Sequence, residues 1–386
     1  MNSQKSTSTI QEKNEFLTEQ LVTYIGNKRA LLDFIGTGVE YVKNKLHKDK
    51  LVTFDVFSGS GIVGRYLKQH SSFVYANDME YYASLISDCY LSNQSDVNYR
   101  KICALHSEIT KEAQIFVDEG KSCGGFVEKF YAPKDTLNIQ EGERCFYTNR
   151  NARYIDYVRQ LIDKKVPENM QKFFLAPLLS ECSVHANTSG VFKGFYKDKK
   201  SGLGKFGGSA ENALSRINGE INLPLPVFSN FNCHHKAFCC EANELVCSDQ
   251  SPVADLAYID PPYNQHPYGS NYFMLNLIAK NQWPEQENMS RVSGIPKGWN
   301  RSQYNKRKFI YDTLLTLVKN VKAKFLLISF NNEGFIPKEQ MIELLEQVGS
   351  VHVLEKEYNT FRGSRNLKGR SIYVKEYLFV VEKTKI

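Results

Sequence analysis

Residues 51–70 read "LVTFDVFSGSGIVGRYLKQH". The first residues predict a β-strand, the glycines a turn, and "IVGRYLKQH" a helix. That unit repeats along the chain. "SFVYANDMEYYASLISDCYL" (72–91) gives strand, acidic turn and helix, and "HKAFCCEANELV" (235–246) and "ADLAYIDPPY" (254–263) give two more strand-then-turn units. "AKFLLISFNNEGF" (323–335) is a fifth, with a helix expected near 337–348, and "SVHVLEKEYNTF" and "SIYVKEYLFVVEK" read as a terminal pair of strands around a basic loop. Strands alternating with helices imply an α/β fold with a mainly parallel central sheet covered on both faces. Ligands in such sheets sit at the carboxyl ends of the strands, where each of these turns lies.

The alternation breaks between about residues 92 and 233. That stretch holds helical segments, "NARYIDYVRQLIDKK" and "NMQKFFLAPLLSECSVHA", and the Gly/Lys/Phe stretch "TSGVFKGFYKDKKSGLGKFGG". It reads as an inserted, largely helical second domain. With 386 residues the chain is long enough for two domains, or for one with a large insertion. The polar start "MNSQKSTSTIQEKNE" lacks the apolar core of a signal peptide, and residues 1–20 are expected to be a flexible tail. No apolar run approaches the roughly 20 residues that span a bilayer. The expectation is a soluble cytoplasmic protein with no membrane partner. The nine cysteines form no C-x-x-C pair, and "CHHKAFCC" (233–240) lacks four-ligand zinc spacing, so thiols in a reducing compartment and no metal are expected.

The net charge of +7 is unevenly distributed. Residues 193–205 carry five Lys against Asp198, residues 291–308 six basic side chains and no acid, and residues 362–370 four and no acid. Three basic, glycine- and aromatic-bearing loops suit a polyanion. A single such run is usually a solvated surface; three together favour nucleic acid.

Four constellations carry chemistry. In "DVFSGSG" (55–61), Gly59 and Gly61 let a ligand approach the backbone ahead of a helix start. The letters G-S-G-I-V-G (59–64) also match a dinucleotide fingerprint, but Asp55 ahead of the turn suits an ammonium better than a phosphate. Asp78 closes the next strand and suits ribose hydroxyls. "TYIGNKRALLDFI" (23–35) places Lys28 near a helix start, where acids are usual. In "IDPPY" (259–263), Asp260 ends a strand and the prolines remove two backbone donors, leaving carbonyls exposed. A carboxylate beside a carbonyl is an acceptor pair for an NH2 group, and Tyr263 offers a ring face. The plainer reading of the same residues is an Asp cap before a Pro-initiated helix.

Together these motifs resemble the adenine-specific DNA methyltransferases of the Dam (D12) class, over about residues 20–383. "YIGNK" looks like the family's N-terminal cofactor motif, "DVFSGSG" like its methionine-binding turn, "NDME" like its ribose-binding acid and "DPPY" like its catalytic motif. "ISFNNEG" and "YNTFRGSRN…VKEYLF" resemble its C-terminal strands and loop. The motif order is that of the α group. "NARYIDYVRQ" and "SVHANTSGVFKGFYK" look like segments of methyltransferases that accompany type IIS restriction systems.

The resemblance implies a Rossmann-like catalytic domain (21–92 and 234–386) using S-adenosyl-L-methionine, and a target-recognition domain (93–233). Tyr24, Lys28, Asp55, Phe57, Ser58, Gly59, Gly61 and Asp260 would bind the cofactor, with Lys28 on its methionine carboxylate and Asp55 on its ammonium. Asp78 would hold the ribose, and Met79 and Glu241 the adenine, with Glu241 standing where the family usually has aspartate. Asp260 and the carbonyl of Pro261, stiffened by Pro262, would hold the target N6 amino group, and Tyr263 would stack on the flipped base. Lys193, Lys197, Arg301, Arg307, Arg362 and Arg365 would contact double-stranded DNA, and a cognate restriction endonuclease is an expected functional partner. Two alternatives stand beside DNA N6 methylation: RNA adenine-N6 methylation, and a catalytically silent DNA-binding subunit. Intact Asp55, Asp78 and Asp260 speak against the second. Cytosine-N4 methylation usually goes with Ser in place of Asp260.

Overall fold

A computed structural model describes residues 11–207, 214–359 and 373–385. Seven strands form one sheet: β1 (Leu51–Asp55), β2 (Ser71–Asn77), β3 (His234–Phe238), β4 (Val253–Ile259), β5 (Lys322–Asn331), β6 (Gly349–Asn359) and β7 (Tyr373–Lys383). Their order is β3-β2-β1-β4-β5-β7-β6. The first five are parallel, and β7 runs antiparallel between β5 and β6. The register sets Asp55 beside Ala76 and Tyr258, so β1, β2 and β4 end at one level. The turns singled out in the sequence therefore converge on one edge.

The helices are α1 (Asn14–Thr18), α2 (Leu32–Leu46), α3 (Ile62–Lys68), α4 (Tyr81–Leu91), α5 (Tyr99–Asp118), α6 (Phe126–Tyr131), α7 (Asn149–Lys165), α8 (Glu168–Val184) and α9 (Leu214–Asn218), then α10 (Ala242–Cys247), α11 (Tyr268–Asn271), α12 (Phe273–Lys280), α13 (Ile310–Asn320) and α14 (Lys338–Glu346). Strand alternation sorts apolar side chains to the two sheet faces. Leu326, Ile328, Phe379 and Val381 pack with α10, α13 and α14, whereas Phe325, Leu327, Leu378 and Val380 pack with α2 and α3. The sheet is thus covered on both sides, the architecture expected of a Rossmann-like methyltransferase domain. Among the described residues, no helix is long and apolar enough to cross a membrane.

Two packing arrangements concern the start of the chain and the insertion. The tail to residue 20 is not free where it is described. Phe16 of α1 is fully buried, and the Arg65 guanidinium donates to the carbonyls of Phe16, Glu19 and Gln20 while lying 3.6 Å from the Tyr90 ring centroid. A buried guanidinium needs acceptors, and this segment supplies them. The second arrangement lies next to the expected boundary at residue 92. The helices between β2 and β3 do not enclose a separate core: Ile102, Ile109, Ile155, Val158, Leu178 and Leu179 share one apolar cluster with Tyr82, Ile86 and Cys89 of α4 and Met274, Leu275 and Ile278 of α12. The insertion is therefore fused to the sheet layer through α4 and α12.

Candidate active site

At the carboxyl ends of β1, β2 and β4 lies a pocket enclosing about 810 Å³ of empty space, part of it open to solvent. Its floor is the turn after β1. Gly59 (φ +50°) and Gly61 (φ +77°) adopt left-handed backbone that other residues rarely take. A Cβ on Gly59 would stand 2.9 Å from the Tyr24 ring, so the glycine is also what lets Tyr24 close over the turn. Phe57, Ser58, Gly59 and Ser60 line the pocket; Gly61 faces away, towards Ile86.

Asp55, at the end of β1, is fully buried beneath this floor, and neither of its carboxyl oxygens meets a side-chain donor among the described residues. Burial, with the nearby charges of Asp260 and Asp78, pushes its pKa well above the usual carboxylate range, and the Gly64 amide offsets only part of this. Asp78 follows β2. Its carboxylate accepts from the amides of Gly59 (2.8 Å) and Glu80 (2.9 Å), and burial still raises its pKa to about 6. Glu80 lines the same wall. It is 1% exposed, accepts from Asn276, and is pushed up to about 7 by burial and then by Asp78.

Met79 and Glu241 complete that end of the pocket, with Cys240, Asn300 and Ser302. One Glu241 carboxyl oxygen caps α10 by accepting from the Glu244 amide at 3.0 Å. The other is what remains for a ligand. Asn300 donates to the Met79 carbonyl at 3.2 Å, tying the segment after α12 over this side.

The opposite end is built around Asp260 and Lys28. Both line the pocket, as does Pro262; Pro261 and Tyr263 stand beside the lining. The Lys28 ammonium, 3% exposed, donates to Glu376 Oε1 at 2.7 Å and lies 3.4 Å from Asp260 Oδ1. Burial opposes the Lys28 charge, but Asp260 and Glu376 outweigh it and hold its pKa well above the ordinary value. Asp260 rises to about 7, mainly by burial; Lys28 opposes this and Glu376 adds to it. The Tyr263 hydroxyl accepts from Asn331 at 3.0 Å, and its ring packs against Phe330 with the Lys28 ammonium 5.7 Å from its centroid.

After "DPPY", Tyr268 and Gly269 line the pocket, while Asn271 and Tyr272 are buried behind it. Tyr24 stacks on Tyr268 (4.9 Å) and Tyr272 (4.8 Å). The Ile25 amide donates to the Tyr272 hydroxyl at 2.7 Å, and the Tyr268 hydroxyl donates to the Ile25 carbonyl at 3.1 Å. Tyr272 is fully buried and Asn271 is 2% exposed; Asn271 offers its carbonyl to the Phe192 amide at 2.7 Å. This stretch clamps "YIGNK" and the insertion to the pocket rim.

Of the basic residues, Lys193, Lys197, Arg301 and Arg307 are exposed. Lys193 follows the Phe192 link and stands close enough to His266 for its charge to help burial depress that imidazole. Arg301 sits between the lining residues Asn300 and Ser302 and stacks on Trp299 at 4.0 Å. Two of the three basic loops thus flank the pocket mouth. Arg362 and Arg365 lie outside the described residues.

The sequence reading missed Glu80, Asn300, Ser302 and Glu376. A signal for Glu376 existed: Val374, Glu376, Leu378 and Val380 alternate on one face of β7, and the acid interrupts a buried apolar series. Glu80 likewise follows a strand end within "NDME".

Residues 24–343 match the D12 class of N6 adenine-specific DNA methyltransferases. The chain belongs to that class. Among relatives, the Type II methyltransferase M.NlaIII of Neisseria lactamica is 29% identical over 94% of this chain and 100% of its own length. The Type II methyltransferase M.CviAII of Paramecium bursaria Chlorella virus 1 is 28% identical over 93% of this chain and 98% of its own. The modification methylase StsI of Streptococcus sanguinis is 27% identical over 93% of this chain, which spans only 52% of that longer protein. In this D12-class chain, "DPPY" follows β4 and "DVFSGSG" begins at the end of β1 in one parallel run of strands, so two of the motifs that carried the class resemblance meet at a single pocket.

Proposed function

We propose that the pocket binds S-adenosyl-L-methionine and that the chain transfers its methyl group to the N6 of an adenine extruded from duplex DNA. The observation that carries this is the charge of the pocket. Asp78, Glu80, Glu241 and Asp260 line it, Asp55 lies buried beneath its floor, and Lys28 is the one lysine or arginine in the lining among the described residues. Such a site favours a ligand with a cationic centre. When bound, the cofactor supplies a methyl group activated on a sulfonium.

The chain's own residues supply the rest. Asp55 would accept from the amino-acid ammonium, and Lys28, with a donor left after Glu376 and Asp260, would meet the carboxylate. Asp78 and Glu80 would accept from ribose hydroxyls. Met79 and the free oxygen of Glu241 would meet the adenine ring and its amino group. A base inside a duplex cannot reach a strand end, so it must leave the stack. Tyr263 would offset part of that cost, at roughly 1–3 kcal/mol per stacked base. Asp260 and the Pro261 carbonyl would accept from the N6 amino group and aim its lone pair. Most of the acceleration would then come from orientation and preorganised acceptors.

The insertion and the segment 281–309 would grip DNA through Lys193, Lys197, Arg301 and Arg307, with the insertion as target-recognition domain. The similarity to proteins called modification methylase and Type II methyltransferase supports a place beside a restriction endonuclease. The test is to incubate purified chain with the cofactor and duplex DNA, or with RNA, and to analyse the nucleosides by mass spectrometry. N6-methyladenine from DNA is expected. N4-methylcytosine, or modification of RNA alone, would overturn the reading.

A further inference from the structure

We propose that Glu376 is a positioning residue for methyl transfer, acting through Lys28 to hold Asp260 open and basic for the substrate amino group. The inference rests on the reading of Asp260 as the N6 acceptor.

Three adjacent strands create the arrangement. β4 releases Asp260, β5 brings Ser329, and antiparallel β7 brings Glu376 opposite Asn331. Glu376 is 1% exposed. Its Oε1 accepts from the Ser329 hydroxyl at 2.7 Å and from the Lys28 ammonium at 2.7 Å, while its Oε2 is buried without a partner among the described residues. A carboxylate in a sheet core is costly unless paired. A lysine serving Asp260 alone would not require it.

One cation between two carboxylates cannot close on both equally. Lys28 sits at 2.7 Å from Glu376 and 3.4 Å from Asp260. Glu376 therefore draws the ammonium away from Asp260. Without that pull Lys28 would close on Asp260 as an ion pair, occupy an acceptor oxygen and make the carboxylate a poorer base. Of the other groups facing Asp260, Asp55 is a buried acid whose pKa Asp260 helps to raise, Tyr258 and Tyr268 are buried phenols whose pKa values rise well above the ordinary value, and the Tyr263 ring lies beside the Lys28 ammonium. Burial and Glu376 together outweigh Lys28 and leave Asp260 near 7. That basicity has a use. As N6 bonds to the methyl carbon and the carbon–sulfur bond breaks, the amino group must shed one proton, and Asp260 is the acceptor beside it. The electron pair of the broken bond stays on sulfur, and the proton ends on the carboxylate.

The experiment is the pH profile of single-turnover methyl transfer at saturating cofactor. For Glu376→Gln, which keeps the shape and the acceptor for Ser329, the acidic limb should move down by about one pH unit, because a neighbouring charge that raised Asp260 has gone. Lys28→Met should move it up. Glu376→Asp, which restores the charge, should return the limb to its wild-type position. Cofactor affinity, read by isothermal titration, should be little changed in Glu376→Gln. If both Glu376→Gln and Lys28→Met lower the rate at every pH with the limb unmoved, Glu376 is only structural and the inference fails. Should Glu376→Gln not fold, the opposite shift in Lys28→Met decides the matter. Asp260→Asn in the same assay separates the two levels: wild-type transfer by that variant would overturn the reading of Asp260 itself.

Discussion

Replacing Asp260 by Asn changes one atom and should nearly abolish methyl transfer. The carboxamide has one acceptor where the carboxylate has two. The Lys28 ammonium 3.4 Å from Oδ1 will take the amide oxygen, leaving the NH2 towards the pocket and against the substrate's own donor. Loss of one preorganised partner in a water-poor site costs about 10²–10³ in kcat, roughly 2.7–4 kcal/mol. Loss of the proton acceptor adds a further factor of about 10² or more. The expected single-turnover rate is therefore lower by about 10⁴. The fold should not suffer: Lys28 keeps Glu376 at 2.7 Å, and a buried carboxylate with its pKa raised to about 7 is removed. Cofactor affinity should change little, because Asp55 and Asp78 are untouched. The assay is quenched-flow transfer of a tritiated methyl group to an adenine-containing duplex, with the cofactor dissociation constant measured in parallel. A variant within tenfold of wild type would refute the reasoning; so would one whose lost activity is recovered by excess cofactor.

Tyr272→Phe keeps the stack on Tyr24 but leaves the Ile25 amide without its 2.7 Å acceptor, and should lower both unfolding stability and cofactor affinity by about 1 kcal/mol; unchanged urea and binding curves would remove the clamp from the account. Glu80 and Asp78, raised by burial to about 7 and about 6, should release protons when a cationic cofactor binds near pH 6.5, so affinity should improve as pH rises through that window. Equal heats of binding in buffers of different ionisation enthalpy would contradict this. The same raised carboxylates mean that the folded protein binds more protons than the unfolded chain between about pH 4 and 7, so the stability of the ligand-free protein should fall as pH rises across that range; a melting temperature that climbs instead would count against the buried acids. Neutralising Lys193, Lys197, Arg301 and Arg307 should flatten the slope of log affinity against log salt by up to about 3.6, and an unchanged slope would move the DNA surface elsewhere.

The sheet was legible because strand, glycine or acidic turn, and helix recur in register with it. Asp55, Asp78 and Asp260 each end a parallel strand, so their convergence followed from topology alone. The packing of the insertion was not legible in the same way. Helical periodicity in 149–184 reports that one face is buried, not that the face lies on α4 and α12. The polar stretch before residue 20 hid Phe16 and Leu17, which pack on the apolar core, with the Arg65 guanidinium over the Phe16 ring. Tyr268 lines the pocket and Tyr272 is buried behind it, both stacked on Tyr24, an arrangement that joins segments some 240 residues apart in the chain. Glu376 escaped because its partners come from opposite ends of the chain: Lys28 from the segment before β1, and Ser329 from the strand beside it. Long-range charge pairing leaves only a faint trace in sequence, here one acid in an apolar strand.

The central claim is that this chain methylates adenine N6 in DNA. Long-read sequencing that detects N6-methyladenine, on DNA from cells expressing the wild-type chain and from cells expressing Asp260→Ala, tests it most directly. The account predicts methylated adenines within one short recurring sequence in the first sample and none above background in the second. Unmethylated DNA from cells holding folded wild-type protein, or the same marks with Asp260→Ala, would contradict it.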